Sequence, residues 1–164
     1  MSRGFVKEDD QEEAPMIPPR AALPAGETNY VTPMGLKELK EEEEELIKER
    51  ADLDKENDTE RRRSQAVIDG NLKLLRDRIN TARILNPKDQ PTDEVRFGAL
   101  VELKQDGNIQ KFQIVGVDEA DVKKQKIAFV APIAKAVTGK KLGEKVDFKL
   151  GEETRKLEIL KISY

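Results

Sequence analysis

The chain has 164 residues, of which 38 % are charged and only 4 % aromatic, with a formal net charge of −3 at pH 7. So much charge leaves apolar material for one modest core and requires the remainder to be solvated surface. With no cysteine and no histidine, disulfides, thiol nucleophiles, the usual zinc sites and any Ser-His-Asp arrangement are excluded.

Residues 1–31 carry four of the eight prolines, Pro15, Pro18, Pro19 and Pro24, behind an acidic cluster. Proline without periodicity builds neither a helix nor a central strand, so this segment is expected to be a flexible tail. A tail that packs along the next segment, or touches a partner, is the alternative.

Residues 32–86 predict an antiparallel two-helix coiled coil. Thr32 is a good N-cap, and Pro33 sits at the first helical position, where a missing N–H is harmless. Leu36, Leu39, Leu46 and Leu53 fall on one heptad seam with Glu43 and Arg50. Ile68, Leu72, Leu75, Ile79 and Ala82 form a second. Facing Leu36 with Ala82 and Arg50 with Ile68 makes every pair sum to 118, so the fold-back is expected near residue 59. Asn57-Asp-Thr-Glu60 reads as a capping box opening the second helix, and Asn86-Pro87 as its stop. Each arm would have roughly 24 residues and reach about 35 Å.

From 87 to 164 the period becomes alternating. Strands are expected over 95–103, 110–117, 126–130, 145–150 and 155–163, with one short helix over 132–137. Phe97, Phe112, Phe129 and Phe148 are placed on those strands as core. The fold class expected is therefore α+β, a helical hairpin followed by an antiparallel β domain, with the boundary at about 86–93.

Chemistry concentrates at the hairpin tip, where Asp54, Glu56, Asp58 and Glu60 lie within seven residues. The plain account is a solvated loop. The functional one is a carboxylate cluster on a stalk that completes the shell of a hard cation, magnesium, supplied by another protein, or orients a water attacking a phosphodiester. Glu41 to Glu45 spread around a helix as a solvated face, and Arg61 to Arg63 neutralise the tip or meet nucleic-acid phosphate. The lysines of the β domain lack interleaved exposed aromatics, so single-strand stacking is weakly supported. Thr138-Gly-Lys-Lys-Leu-Gly143 lacks the order of a phosphate loop, which assigns Gly139 and Gly143 to turns.

Three runs stand out, Tyr30-Val-Thr-Pro-Met-Gly-Leu36, Val95-Arg-Phe-Gly-Ala99 and, most strongly, Phe112-Gln-Ile-Val-Gly-Val-Asp-Glu-Ala-Asp121. Through them the sequence resembles, across about 32–164, the bacterial GreA/GreB elongation factors. Ala131-Pro-Ile-Ala-Lys-Ala136 with Gly139 and Gly143 adds to the resemblance, and the start resembles a subset of the family beginning Ser-Arg-x-Phe-Val-Lys-Glu-Asp. It implies an FKBP-like C-terminal domain docking on the rim of the RNA polymerase secondary channel, with the coiled coil entering that channel. Tip carboxylates then help hold a second magnesium ion while the polymerase cleaves its own backtracked RNA. The chain would be no enzyme itself and would need no cofactor of its own.

The family's Gly-Asp-Leu-Lys-Glu-Asn resembles Ala51-Asp-Leu-Asp-Lys-Glu-Asn57 with one residue inserted. Glu56 matches, and its partner is Asp52 or Asp54; the register favours Asp54, with Asp58 also close. The carry-over thus implies Asp54, Glu56 and Asp58 as catalytic, with Asp54 and Glu56 on the shared magnesium. Docking falls on Asp118, Glu119, Asp121 and Pro132. The hairpin is about 16 residues shorter than the family's usual form, roughly eight per arm or about 12 Å of reach.

Two alternatives follow: a secondary-channel regulator that docks without promoting cleavage, and, from the FKBP-like fold, a prolyl isomerase. Contact with the RNA and DNA of the elongation complex would be indirect. With no apolar run near the ~20 residues that span a bilayer and no apolar stretch in Met1–Glu13 to serve as a signal peptide, a cytoplasmic monomer is expected.

Overall fold

The computed structural model describes residues 14–53, 55 and 57–164. The expectations for residues 1–13, and those for Asp54 and Glu56, lie outside the described residues.

Thr32 caps the first helix as its position requires. Its Oγ1 accepts from the Gly35 N–H at 3.0 Å, and the helix α1 runs Pro33–Ala51. Asn57 does the same for α2 (Asp58–Thr81), accepting from the Glu60 N–H at 3.2 Å. Asp58 and Glu60 in that first turn complement the positive end of the helix dipole. Leu39, Ile68, Leu72 and Leu75 are buried in the seam between the arms. Across the seam Glu43 pairs with Arg76 at 3.0 Å and Arg50 with Asp69 at 2.7 Å. Both pairs sum to 119, one residue from the expected register.

The arms are unequal, which the heptads did not indicate. The register sets Ala51, the last residue of α1, level with Ile68, yet α2 continues ten residues further to Asp58. That overhang is about 15 Å long, and the described residues between the helices, Asp52, Leu53, Lys55 and Asn57, lie outside any helix. Leu53 is the single apolar residue in that stretch, lying with Arg63, Ser64 and Val67 around one shallow hollow. With nothing else to bury, and acids crowded together, the first arm has no reason to stay helical.

The second arm also stops early. α2 ends at Thr81 rather than 86, because Arg83–Ile84 leaves the helix to pair in parallel with Tyr30–Val31. These two-residue strands, β1 (Tyr30–Val31) and β2 (Arg83–Ile84), close the base of the hairpin. The Asn29 amide fastens the same point, donating to the Arg78 carbonyl at 2.9 Å.

The β domain begins after a 3₁₀ turn at Pro87–Asp89. Val95, Phe97 and Ala99 alternate inward as expected but form no strand. The chain turns there: Gly98 has φ +88, packs against Pro87, and donates to the Ile114 carbonyl at 2.8 Å. The first strand is therefore β3 (Leu100–Gln105), joined to β4 (Asn108–Val115) through Asp106-Gly107. Both turn residues have positive φ, the conformation that an Asp-Gly hairpin turn favours. Two 3₁₀ turns, Val117–Glu119 and Val122–Lys124, lead to β5 (Lys126–Ala128). The helix α3 (Pro132–Val137) and the strands β6 (Lys145–Leu150) and β7 (Glu153–Ser163) complete the chain.

The sheet order is β5-β4-β3-β7-β6. All neighbours are antiparallel except β4 and β5, so the sheet is mixed rather than wholly antiparallel. The parallel pair arises because the two 3₁₀ turns carry the chain back across before β5 begins. One core joins Val101, Leu103, Phe112, Ile114, Leu157 and Ile159 to Ala134 and Val137 of α3. Each fully buried leucine or isoleucine there stabilises by about 1.5–3 kcal/mol.

Candidate functional site

The motif Gly116-Val-Asp-Glu-Ala-Asp121 was expected to face a partner, and its first two acids instead turn inward. The Glu119 carboxylate accepts from the Thr32 N–H at 3.1 Å and the Gly116 N–H at 2.9 Å, and also from the Thr32 hydroxyl. A carboxylate beside the N-terminus of α1 is favoured by the helix dipole and by its free N–H groups. Gly35 makes the approach possible, since a Cβ there would lie 2.1 Å from Glu119 Cδ.

Asp118 is equally engaged. Its side chain is 4 % exposed and bridges Arg20 at 2.9 Å and Arg78 at 3.0 Å. Arg20 also grips Glu42 through two bonds, at 2.7 and 3.0 Å. Hydrogen bonding to Glu42, then to Asp118, raises the Arg20 pKa. Asp118 and Glu119 thus join the hairpin to the β domain and present no free carboxylate to a partner. Arg20, Arg78 and Thr32, which complete the joint, were not among the expected site residues. A lone arginine in a proline-rich tail gives no periodic signal.

Asp121 and Pro132 behave differently. Asp121 is half-buried, accepting from the Lys123 N–H at 3.0 Å, and Pro132 is exposed at the start of α3. Val122 beside Asp121 is 88 % exposed. The exposed side of the motif is therefore the one around Asp121.

At the tip, Asp52, Asp58 and Glu60 are exposed, and Asp58 forms an ion pair with Arg61 at 2.9 Å. Neutralisation of the tip acids by the arginine run holds for that pair. Among the described residues no three carboxylates gather closely enough to hold a metal ion. Asp54 and Glu56, the expected pair, are outside that description.

The four phenylalanines all lie in or against the core, but not all on strands. Phe112 and Phe148 lie on β4 and β6, whereas Phe97 and Phe129 sit in loops and pack with Tyr30. The three ring centroids are 5.7–6.0 Å apart. They flank an open cleft of about 430 Å³ bordered by Leu85, Arg96 and Lys135. Tyr30 belongs to the hairpin base, so this triad is a second, apolar bond between the two parts of the molecule.

The described residues thus form a two-helix stalk with a charged tip, fixed at its base to a small mixed-sheet domain. The family of transcription elongation factors GreA/GreB, C-terminal part, matches residues 90–164. A transcription elongation factor GreA from Thermodesulfovibrio yellowstonii is 35 % identical over 151 residues, covering 82 % of this chain and 96 % of that protein. A GreB from Neisseria meningitidis serogroup B is 31 % identical over 153 residues, covering 83 % of this chain and 94 % of that one. The chain belongs to the GreA/GreB family of transcription elongation factors.

The GreA alignment spans 151 residues but uses 82 % of this chain, about 134 of its 164, so roughly 17 positions of that relative have no counterpart here. Among solved structures, Gfh1 from Thermus aquaticus is 20 % identical, with 82 % of this chain and 97 % of that chain covered and a TM-score of 0.41. An overlap at that level carries no argument about the fold or the site. Among the described residues no helix is long and apolar enough to cross a membrane.

Proposed function

We propose that the chain docks on bacterial RNA polymerase through its β domain, carries the hairpin tip into the secondary channel, and promotes cleavage of backtracked RNA. The observation that supports this most is the joint at Glu119 and Asp118, which makes stalk and docking domain one mechanical unit. A tip can be delivered to a fixed point only if its base is fixed to the body that docks.

In this reading the chain is not an enzyme. Magnesium in the polymerase active centre supplies the Lewis acid for phosphodiester hydrolysis. Asp54 and Glu56 would lend it carboxylate oxygens, the right donors for a hard cation. Asp58, at the N-terminus of α2 and paired with Arg61, would set the local charge beside them. The face around Asp121 and Pro132 would meet the channel rim.

The unequal arms favour a second reading, in which the factor docks and regulates without cleavage. α1 has 19 residues, about 28 Å of helix, and metal ligation demands approach to ~2–2.5 Å. RNA release from stalled elongation complexes separates the two. Wild-type protein should accelerate release and Glu56→Gln should abolish the acceleration. Equal release with both proteins, while binding persists, would leave only the regulatory reading.

A further inference from the structure

Residues 14–28 were expected as part of a flexible tail, with packing along the hairpin as the alternative, and they contact both helices of the hairpin and the β domain. Glu27 pairs with Lys135 of α3 at 3.3 Å. The Ala21 carbonyl accepts from Arg78 of α2. Arg20 spans Glu42 of α1 and Asp118 of the β domain. Further out, the Ile17 side chain occupies the notch left by Gly70 in α2, where an added Cβ would lie 1.6 Å from Ile17 Cδ1.

Two features make this more than a chance adhesion. Glycine inside a helix is unfavourable relative to alanine, and here its missing Cβ leaves the space that Ile17 fills. Pro15, Pro18, Pro19 and Pro24 restrict the free segment, so ordering it loses less entropy than ordering an ordinary chain. The Arg20 side chain is 19 % exposed, and its guanidinium bonds hairpin and β domain together from outside both.

We propose that residues 15–28 form a strap that fixes the direction of the hairpin relative to the β domain, with Arg20 as its positioning residue. The strap adds a third tie to the Glu119 cap and the aromatic triad, with Arg20 on Asp118 Oδ1 and Arg78 on Oδ2. Glu42 lies partway along α1, so the tie acts on a longer lever than Thr32 does. Without it the stalk would pivot about its base and the tip would sweep a wider arc. The value of a fixed direction rests on the proposed delivery of the tip to the polymerase; the strap itself does not.

The chain has no cysteine, so spin labels at Asn57→Cys and Lys149→Cys report the tip-to-domain distance directly. A narrow distance distribution is expected for the full chain. Arg20→Gln should broaden it, and Gly70→Ala should do so independently by expelling Ile17 while improving the helix. Trypsin adds a second readout, because cleavage after Arg20 needs its side chain released. Gly70→Ala should speed that cut by about tenfold. Unchanged distances and unchanged cleavage in these variants would overturn the strap. Broadened distances with unaltered RNA release would keep the strap and count against the proposed function instead.

Discussion

The Glu119 carboxylate accepts from the backbone N–H of Thr32 at 3.1 Å, joining residues 87 apart in the chain. It thereby caps the first helix of the stalk from the neighbouring domain. Replacing Glu119 with Ala leaves the N–H groups of Thr32 and Gly116 buried and unpaired. The expected loss is about 2–6 kcal/mol, at about 1–3 per orphaned group, read as a fall in the urea midpoint. Glu119→Gln keeps one acceptor and should lose less.

Gly35→Ala reverses the usual rule. Alanine ordinarily stabilises a helix by about 1 kcal/mol over glycine. At this position its Cβ would meet Glu119 Cδ at 2.1 Å. A net fall in melting temperature is expected, and pairing with Glu119→Ala should remove most of the penalty, as contacting sites do in a double-mutant cycle.

Asp118 and Asp121 lie three residues apart and should part company on mutation. Asp118→Ala removes one partner from each of two half-buried arginines and is expected to lower stability by about 3 kcal/mol, Arg20 keeping Glu42 and Arg78 the Ala21 carbonyl. Asp121→Ala removes one local turn bond and should leave stability within about 0.5 kcal/mol. If the outward face docks, Asp121→Ala and Pro132→Ala weaken polymerase binding while their melting curves stay in place.

Tyr164 supplies a pH-dependent signature. Its hydroxyl donates to the Glu94 carbonyl at 2.8 Å and accepts from the Arg96 N–H at 2.9 Å. Burial raises its pKa above the ordinary 10. The neutral phenol is favoured by folding, so its contribution is complete below pH 10 and is lost as pH rises toward the raised value. A difference titration at 295 nm between wild type and Tyr164→Phe should show one tyrosinate forming late. The stability gap between the two proteins should narrow above pH 10.

What was legible in the sequence follows from periodicity. The heptads set the seam to within one residue, and Asp-Gly marked the β3–β4 turn. Alternation also marked Val95, Phe97 and Ala99 as buried but mistook them for strand, since burial on one side says nothing of the Gly98 turn that the domain packing imposes. The hairpin tip was located without its asymmetry, because polarity predicts the absence of a core and not where each helix yields. The Asp118-Glu119 pair stood out through the resemblance, as docking positions, while its structural ties were not legible. Charged residues bury only against partners, and those partners, Arg20 and Thr32, come from segments far away in sequence.

The central claim is delivery of the tip into RNA polymerase, and a site-specific photocrosslinker tests it most directly. With the reagent placed on Asn57→Cys, irradiation of the factor with core polymerase at physiological salt should join the tip to residues lining the secondary channel. Crosslinks from Pro132→Cys should map to the channel rim in the same complex. A tip that crosslinks only outside the channel, or a factor that fails to bind the polymerase at all, would contradict the account.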